Sequence, residues 1–369
     1  MIPSKPRRIA WIDNVKAIAI LCVIIGHSQG LLEIPDSISS NFGALIVAFN
    51  MPLFMIMAGW MAWKSLERIV SLESCLVYFE KLFERTVLPT VAFSALYAIW
   101  QGELFARRLW LAYFFLTIVY FLLKYRIDKV PEWMRTPVRM LMSGVLIVLS
   151  FRVNFFWFMA MIIEFQTLWG MICFAFHRLK SGLKLTLAIV VFALFIFATN
   201  DGWFTEFVTY YSFGLFLRYS DAMDKWQKMP AWPTILILAV TAIILRVTRS
   251  YCFYGYSVCA LIQEGNGWIF VLRQFNGLLL SMLVIYWVRK CTGSYNALSR
   301  FGSFSMALYM VHALILEFYP MSFAGSDPVV HWLRLSLIVI LLTSISYGFI
   351  LGLNWWRLSR KVFLGKDEP

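Results

Sequence analysis

The first apolar segment, residues 10–31, contains three ionisable side chains, Asp13, Lys16 and His27. If this segment is an α-helix, residues follow each other at about 100° around the axis, so Lys16 and His27 lie roughly 20° apart. Asp13 lies about 40° from His27 by the same geometry, and the three side chains share one face. At about 1.5 Å per residue, His27 is roughly 16 Å beyond Lys16 along the helix.

An ionisable group inside an apolar helix is costly unless it faces the protein interior or a water-filled cavity, so each one is a candidate site. An imidazole in this position could act as a general base or as a nucleophile. A structural alternative is an interfacial ion pair between Asp13 and Lys16, with His27 held by a neighbouring side chain. The alignment of three such residues on one helix face favours a functional role.

A second polar stripe lies in the apolar segment 303–320. Ser305, Tyr309 and His312 fall within about 60° of each other around a helix. Such a stripe is typical of catalytic groups, but it is equally typical of hydrogen bonds that hold membrane helices together.

Two further apolar segments contain polar residues. Segment 155–176 presents Trp157 and Glu164 on one helix face, with Asn154 at its mouth, and segment 267–288 contains Arg273. For Glu164 and Arg273 a buried structural ion pair is an alternative to a functional role.

A basic stretch, Lys81 to Pro89, lies in the loop predicted after the second apolar segment. Lys81 and Arg85 are four residues apart and would point to one side of a helix. Two such cations suit a phosphate-bearing ligand, and they equally suit ordinary anchoring at the inner membrane surface.

The composition indicates what positions these residues. Of 369 residues, 61% are hydrophobic and only 14% are charged, with a mean hydropathy of +0.73. Runs of about 20 apolar residues, the length that crosses a bilayer, recur along the chain. The sequence predicts an all-α polytopic bundle, one membrane-embedded domain over residues 1–369, with twelve spans or as few as ten. We place them at 10–31, 43–63, 86–101, 109–124, 139–152, 155–176, 184–200, 203–218, 232–248, 267–288, 303–320 and 333–356.

The distribution of basic residues predicts the orientation. With the amino terminus inside, 25 of the 33 Lys and Arg residues lie in inner segments, against six in outer segments. This bias predicts that both termini are cytoplasmic. The net charge of +13 therefore indicates topology and anionic head groups, and we expect no nucleic-acid partner. Because Asp13 and Lys16 interrupt the first apolar run, we interpret it as a retained span and not as a cleaved signal peptide.

The six cysteines show no metal-binding spacing, and we expect no metal site. Cys252 and Cys259 share one predicted external loop, where they could form a disulfide or remain free thiols.

Five segments, taken in order, resemble the acyltransferase-3 family of integral membrane acyltransferases, in particular its fucose 4-O-acetylase-like branch. They are Asp13-x2-Lys16-x10-His27, Asn50-Met-Pro-Leu-Phe-Met-Ile-Met-Ala-Gly-Trp60, Lys81-x3-Arg85-x3-Pro89, Phe156-Trp157-Phe158 and Gly302-x2-Ser305-x3-Tyr309-x2-His312. The resemblance extends from Arg8 to about residue 320. Lys16 departs from the family, where arginine is commoner, and Ala58 stands where serine is common.

The resemblance implies transfer of an acyl group, usually acetyl, from cytoplasmic acyl-CoA to a hydroxyl of a cell-surface or lipid-linked carbohydrate. Acetyl-CoA would be a co-substrate, with no tightly bound cofactor, in the inner membrane of a bacterium and with possible polysaccharide-assembly partners. The catalytic candidates are His27 as base or nucleophile, with Asp13, Tyr309, Ser305 and His312. The donor-binding candidates are Lys16, Lys81, Arg85 and Arg273, and the substrate-binding candidates are Trp157, Asn154 and Glu164.

The main alternative is a transporter or flippase of a lipid-linked glycan or exopolysaccharide intermediate, since transporters also contain intramembrane charges and about twelve spans. A structural subunit of a polysaccharide assembly complex is a weaker alternative. The ordered set of motifs favours the enzyme.

Overall fold

The computed structural model describes residues 9–30, 32–33, 39–101, 157–179, 182, 183, 186, 190, 202–248, 267–318, 323–324 and 328–366. These residues are helical apart from turns and one pair of two-residue strands. The helices are α1 Ala10–Gly30, α2 Ser39–Glu67, α3 Leu72–Leu82, α4 Leu88–Gln101, α5 Trp157–Ala175, α6 Gly202–Tyr219, α7 Ala222–Gln227, α8 Trp232–Thr248, α9 Gly267–Cys291, α10 Ala297–Gly302, α11 Ser305–Phe318, α12 Pro328–Trp355 and α13 Arg357–Leu364. The strands are β1 Leu32–Glu33 and β2 Phe323–Ala324.

The predicted polytopic helical class is confirmed. Among the described residues, five stretches of helix are long and apolar enough to cross a membrane: Ala10–Ser28, Phe42–Glu67, Phe158–Ala175, Gly267–Cys291 and Trp332–Trp355. Large apolar side chains on α8 and α12 point outward, among them Ile235 at 72% and Leu333 at 66% exposure. Apolar surfaces of this kind are unfavourable in contact with water and favourable in contact with lipid chains. The chain is a multi-pass membrane protein.

Most predicted spans coincide with helices, and some boundaries were wrong. The helix containing the second span begins at Ser39 and ends at Glu67, about one turn beyond the predicted 43–63 at each end. The predicted segment 303–320 begins with a turn, and α11 starts at Ser305. Spans predicted at 109–124, 139–152 and nearly all of 184–200 fall outside the described residues. The count of twelve and the cytoplasmic placement of both termini stay predictions.

The stretch predicted as a loop after the second span is helical. α3 begins with a reciprocal cap, in which Ser71 and Ser74 each accept a hydrogen bond from the other's backbone N–H. A π-helical turn, Phe83–Val87, joins α3 directly to α4, so the helix continues without a break into the predicted third span. One face of α3 buries Cys75, Tyr78 and Leu82, whereas Lys81 is exposed.

The described residues form two compact units. The first contains those up to Met61 and those from residue 195 to Tyr347; the second contains the rest. In the first unit, α2 and α6 approach so closely that a Cβ on Gly59 would meet the carbonyl group of Tyr211, and one on Gly214 would meet that of Ile56. Small residues permit this close backbone contact between membrane helices. The predicted single domain over 1–369 stays a prediction.

α10 and α11 run parallel to α1 in the first unit. Gly302, at the end of α10, lies against the backbone of Asp13 and Ala17, and His312 of α11 lies further along, against His27. The strands that follow α1 and α11 pair in parallel, Leu32 with Phe323 and Glu33 with Ala324. α1 and α11 correspond to the first and eleventh predicted spans. Odd-numbered spans cross a membrane in the same direction, and the parallel arrangement of the two helices agrees with this.

We predict that Gly302→Ala destabilises the protein. A Cβ at this position would meet the Asp13 carbonyl oxygen and, at 2.9 Å, the Ala17 amide nitrogen, and rigid helix backbone must shift to accept it. Overpacking of this kind costs about 1–3 kcal/mol. Thermal unfolding in detergent measures the effect. Gly352→Ala is the control, because nothing lies within 4 Å of a Cβ there; equal melting temperatures of the two variants would contradict the prediction.

Candidate functional site

The amino-terminal end of α1 contains a charge pair. Lys16 Nζ lies 2.6 Å from Asp13 Oδ1, and the two side chains are only 16% and 9% exposed. The ion pair that the sequence suggested is therefore present. It neutralises two charges within the membrane segment, which makes their burial less costly. It also engages Lys16, so its ammonium group is not an isolated cation awaiting a phosphate.

Two imidazoles meet between α1 and α11. His27 Nδ1 lies 3.1 Å from His312 Nε2, with ring centroids 5.1 Å apart and ring planes inclined by 34°. His312 is completely buried, and its Nδ1 lies 2.8 Å from the Leu308 carbonyl oxygen. His27 is exposed beyond this contact. One ring of the pair is thus fixed within the helix packing, and the other lies partly at the surface of the described residues.

The remaining residues of the second stripe are buried beside this pair. The Tyr309 ring packs edge-on against His312, with centroids 5.7 Å apart and an interplanar angle of 64°. Ser305 is 7% exposed and lies two turns before His312 on the same face. The structure therefore brings His27, Tyr309 and His312 into one cluster, with Ser305 further down the same face of α11.

A polar contact that sequence reasoning missed fixes α1 against its neighbours. Asn14 Nδ2 donates to Thr292 Oγ1 at 2.9 Å, and Ser299 Oγ donates to Asn14 Oδ1 at 2.7 Å. Ser299 also belongs to the cap of α10, where Asn296 Oδ1 accepts from its backbone N–H at 2.9 Å. The sequence feature that could have predicted this contact is the amide of Asn14, a polar side chain next to Asp13 in an apolar segment.

Ser28, the residue after His27, was also missed. Its side chain is completely buried, and within the described part of the chain its hydroxyl has no hydrogen-bond partner. A buried hydroxyl in this state is one that an internal water can satisfy.

Aromatic and cationic groups surround the amino-terminal end of α1, where Asp13 and Lys16 also lie. Trp11 packs edge-on against Trp60 at 5.3 Å between centroids. The Arg218 guanidinium stacks over Trp60 at 4.3 Å, and that of Arg289 lies 5.2 Å from the Trp11 ring while pairing with Asp224. Tryptophan and arginine of this kind are typical of the membrane–water interface. This end of α1 thus has the side chains expected at a membrane surface.

The other candidates lie elsewhere, and we describe each by itself. Lys81 and Arg85, in the second unit, are exposed on α3 and on the π-helical turn. Glu164 is half-buried on α5. Arg273 is half-buried on α9, where its carbonyl oxygen accepts a 3.5 Å hydrogen bond from Tyr210.

Some predicted positions fall outside the described residues. They are Asn154, the side chain of Trp157, and both Cys252 and Cys259. Their assignments stay predictions, as does an ion pair between Glu164 and Arg273.

Comparison with known proteins gives one match. A family model described as an acyltransferase domain, acyltransferase family 3, matches residues 9–351, nearly the whole chain. No curated protein and no solved structure matches the chain.

We predict that Asn14→Ala lowers the free energy of unfolding by about 1–3 kcal/mol, because it removes the two hydrogen bonds of the buried Asn14 side chain to Thr292 and Ser299, each of which contributes about 0.5–1.5 kcal/mol. Chemical unfolding in detergent measures the loss, and Ser303→Ala is the control, since its exposed hydroxyl bonds only within its own turn. In a double-mutant cycle, Asn14→Ala and Ser299→Ala should cost less together than the sum of the single changes. Strict additivity would show that the contact does not hold α1 in place.

Proposed function

The chain belongs to the acyltransferase-3 family and is a membrane acyltransferase, and from this premise we propose an O-acyltransferase that acylates a carbohydrate hydroxyl with His27 as its reactive group. Acetyl-CoA is the donor that we propose. The acceptor is a cell-surface or lipid-linked carbohydrate, as for the fucose 4-O-acetylase-like branch. The observation that carries the proposal is the exposed His27 imidazole, which contacts the buried imidazole of His312.

The reaction has two routes that use the same nitrogen. As a base, His27 takes the proton of the acceptor hydroxyl while the hydroxyl oxygen attacks the thioester carbonyl carbon. The C–S bond then breaks, and the CoA thiolate takes up a proton from the imidazolium. As a nucleophile, His27 first accepts the acyl group with release of CoA, and the hydroxyl then attacks the acyl-imidazole. Both routes end with one ester and one thiol.

The position of His27 suits substrates that arrive from opposite sides. In this proposal, the end of α1 with Lys16 and the Trp11–Trp60 pair lies at the cytoplasmic membrane surface, and His27 lies about 16 Å further along the helix at about 1.5 Å per residue. The thioester would reach this depth from the cytoplasm, and the carbohydrate from the other face. This arrangement corresponds to a protein of the bacterial inner membrane that supplies a polysaccharide-assembly system.

We propose further roles for the other candidate residues. Asp13 orients Lys16, and Tyr309, Ser305 or Arg273 stabilises the oxyanion that develops on the thioester carbonyl. We assign contacts with the carbohydrate to Trp157, Asn154 and Glu164, since an aromatic ring with amide and carboxylate groups suits a polyhydroxyl ligand.

Lys81 and Arg85 are proposed to bind the phosphates of acyl-CoA. Both are exposed, and Arg85 belongs to a π-helical turn, a feature that is frequent at functional sites. A planar guanidinium gives charge-assisted, paired hydrogen bonds to phosphate, and a lysine adds a point charge.

We predict that His27→Ala reduces acyl transfer by at least about 100-fold, because general acid–base catalysis by one group contributes about 10²–10⁴-fold. The measurement is incorporation of radiolabelled acetyl from acetyl-CoA into the glycan fraction of membranes from expressing cells, at equal protein level. His177→Ala is the control, because among the described residues His177 contacts Phe174, at the end of its own helix. Transfer at the wild-type rate by His27→Ala would remove the imidazole from the mechanism.

We predict that Arg85→Ala raises the KM for acetyl-CoA about tenfold with little change in kcat, as expected when one charge-assisted hydrogen bond of about 1.5 kcal/mol or more is lost. Lys81→Ala should raise it by a smaller factor. Initial rates against donor concentration give both constants. Lys64→Ala is the control, an exposed lysine near the end of α2. If Lys64→Ala raises KM as much as Arg85→Ala, the effect is general surface charge and not a phosphate contact.

A further inference from the structure

The hydrogen bonds of His312 form a chain that starts at a backbone carbonyl. His312 Nδ1 lies 2.8 Å from the Leu308 carbonyl oxygen, and its Nε2 lies 3.1 Å from His27 Nδ1. Each contact has the length of a hydrogen bond, so each must contain one donor and one acceptor.

The first contact fixes the proton on His312. A carbonyl oxygen only accepts hydrogen bonds, and His312 Nδ1 must therefore carry the hydrogen. His312 is completely buried in a membrane helix, where a charged ring would be costly, and it is held neutral. A neutral imidazole has one N–H, so Nε2 of His312 carries a lone pair.

The second contact then fixes the proton on His27. Because His312 Nε2 can only accept, His27 Nδ1 must donate. The neutral His27 ring therefore carries its lone pair on Nε2. The tautomer of one ring is set by the hydrogen bond of the other nitrogen, as in other catalytic histidines.

We propose that His312 is a positioning residue that holds His27 in the Nδ1-protonated tautomer, and that Nε2 of His27 is the reacting atom. This proposal rests on the acyl-transfer function proposed above. His312 takes the place that a carboxylate has in a Ser-His-Asp triad, with the difference that it adds no charge within the membrane. Without this acceptor, His27 would favour the tautomer protonated at Nε2, the commoner form of free histidine, and its reactive lone pair would point away from the substrate.

Two substitutions separate this role from packing. The amide of His312→Gln reaches the place of Nε2, where its oxygen can accept from His27 Nδ1. The amide of His312→Asn reaches the place of Nδ1, so that it retains a donor to Leu308 and loses the acceptor for His27. We expect His312→Gln to keep about a tenth or more of the wild-type kcat and His312→Asn to lose about 100-fold or more, each with an unchanged KM for acetyl-CoA. A residue that serves packing alone would show equal losses, and equal or reversed activities overturn the proposal.

The tautomer is measured directly by ¹⁵N magnetic resonance of histidine-labelled protein in lipid. The chain has only four histidines, and a background with His177→Gln and His331→Gln leaves His27 and His312. We expect both rings protonated at Nδ1, and His27 to shift to the Nε2-protonated form in His312→Asn but not in His312→Gln. An Nε2-protonated His27 in the unsubstituted pair overturns the proposal. The spectra require no substrate, so absent acyl transfer with the expected tautomers would refute the proposed function and leave the pairing intact.

Discussion

The contact between His27 Nδ1 and His312 Nε2 joins two apolar helices, and because lipid supplies no hydrogen-bond partner, a polar ring on a membrane helix depends on a contact of this kind. The packing of α10 and α11 along α1 brings the two rings together. Gly302 removes the side chain that would separate the backbones, and the Asn14–Ser299 hydrogen bond fixes the two segments against each other near their starts. Rigid packing near the membrane surface thus determines the position of two rings roughly ten residues deeper.

The polar groups of α1 differ between its two ends. Near its start, Asp13 and Lys16 neutralise each other, and tryptophan and arginine side chains mark a membrane surface. At His27 the polarity is provided by two imidazole rings, one buried and one exposed. A membrane acyltransferase requires this combination: a stable anchor at the surface and a basic lone pair that is reachable from a site where a permanent charge would be costly.

Helical periodicity alone was enough to predict local relations. It placed Asp13 and Lys16 on one face, where they do form an ion pair, and it predicted the common face of Ser305, Tyr309 and His312, all of which are buried. It could not predict that His27 and His312 touch, because 285 residues separate them and their contact depends on how α11 packs. The prediction of a loop around Lys81 was wrong for a different reason. A π-helical turn continues the helix there, and the polar pattern of a surface helix resembles that of a loop.

We propose that this chain acylates a glycan and does not move a glycan unchanged. Mass spectrometry of surface glycans from cells with and without the chain distinguishes these two functions. If the chain is an O-acyltransferase, the glycans of cells without it lack one ester-linked acyl mass on each modified sugar, whereas the amount of exported glycan is the same. Glycans with identical ester content, exported in reduced amount when the chain is absent, would identify a transporter and exclude the O-acyltransferase.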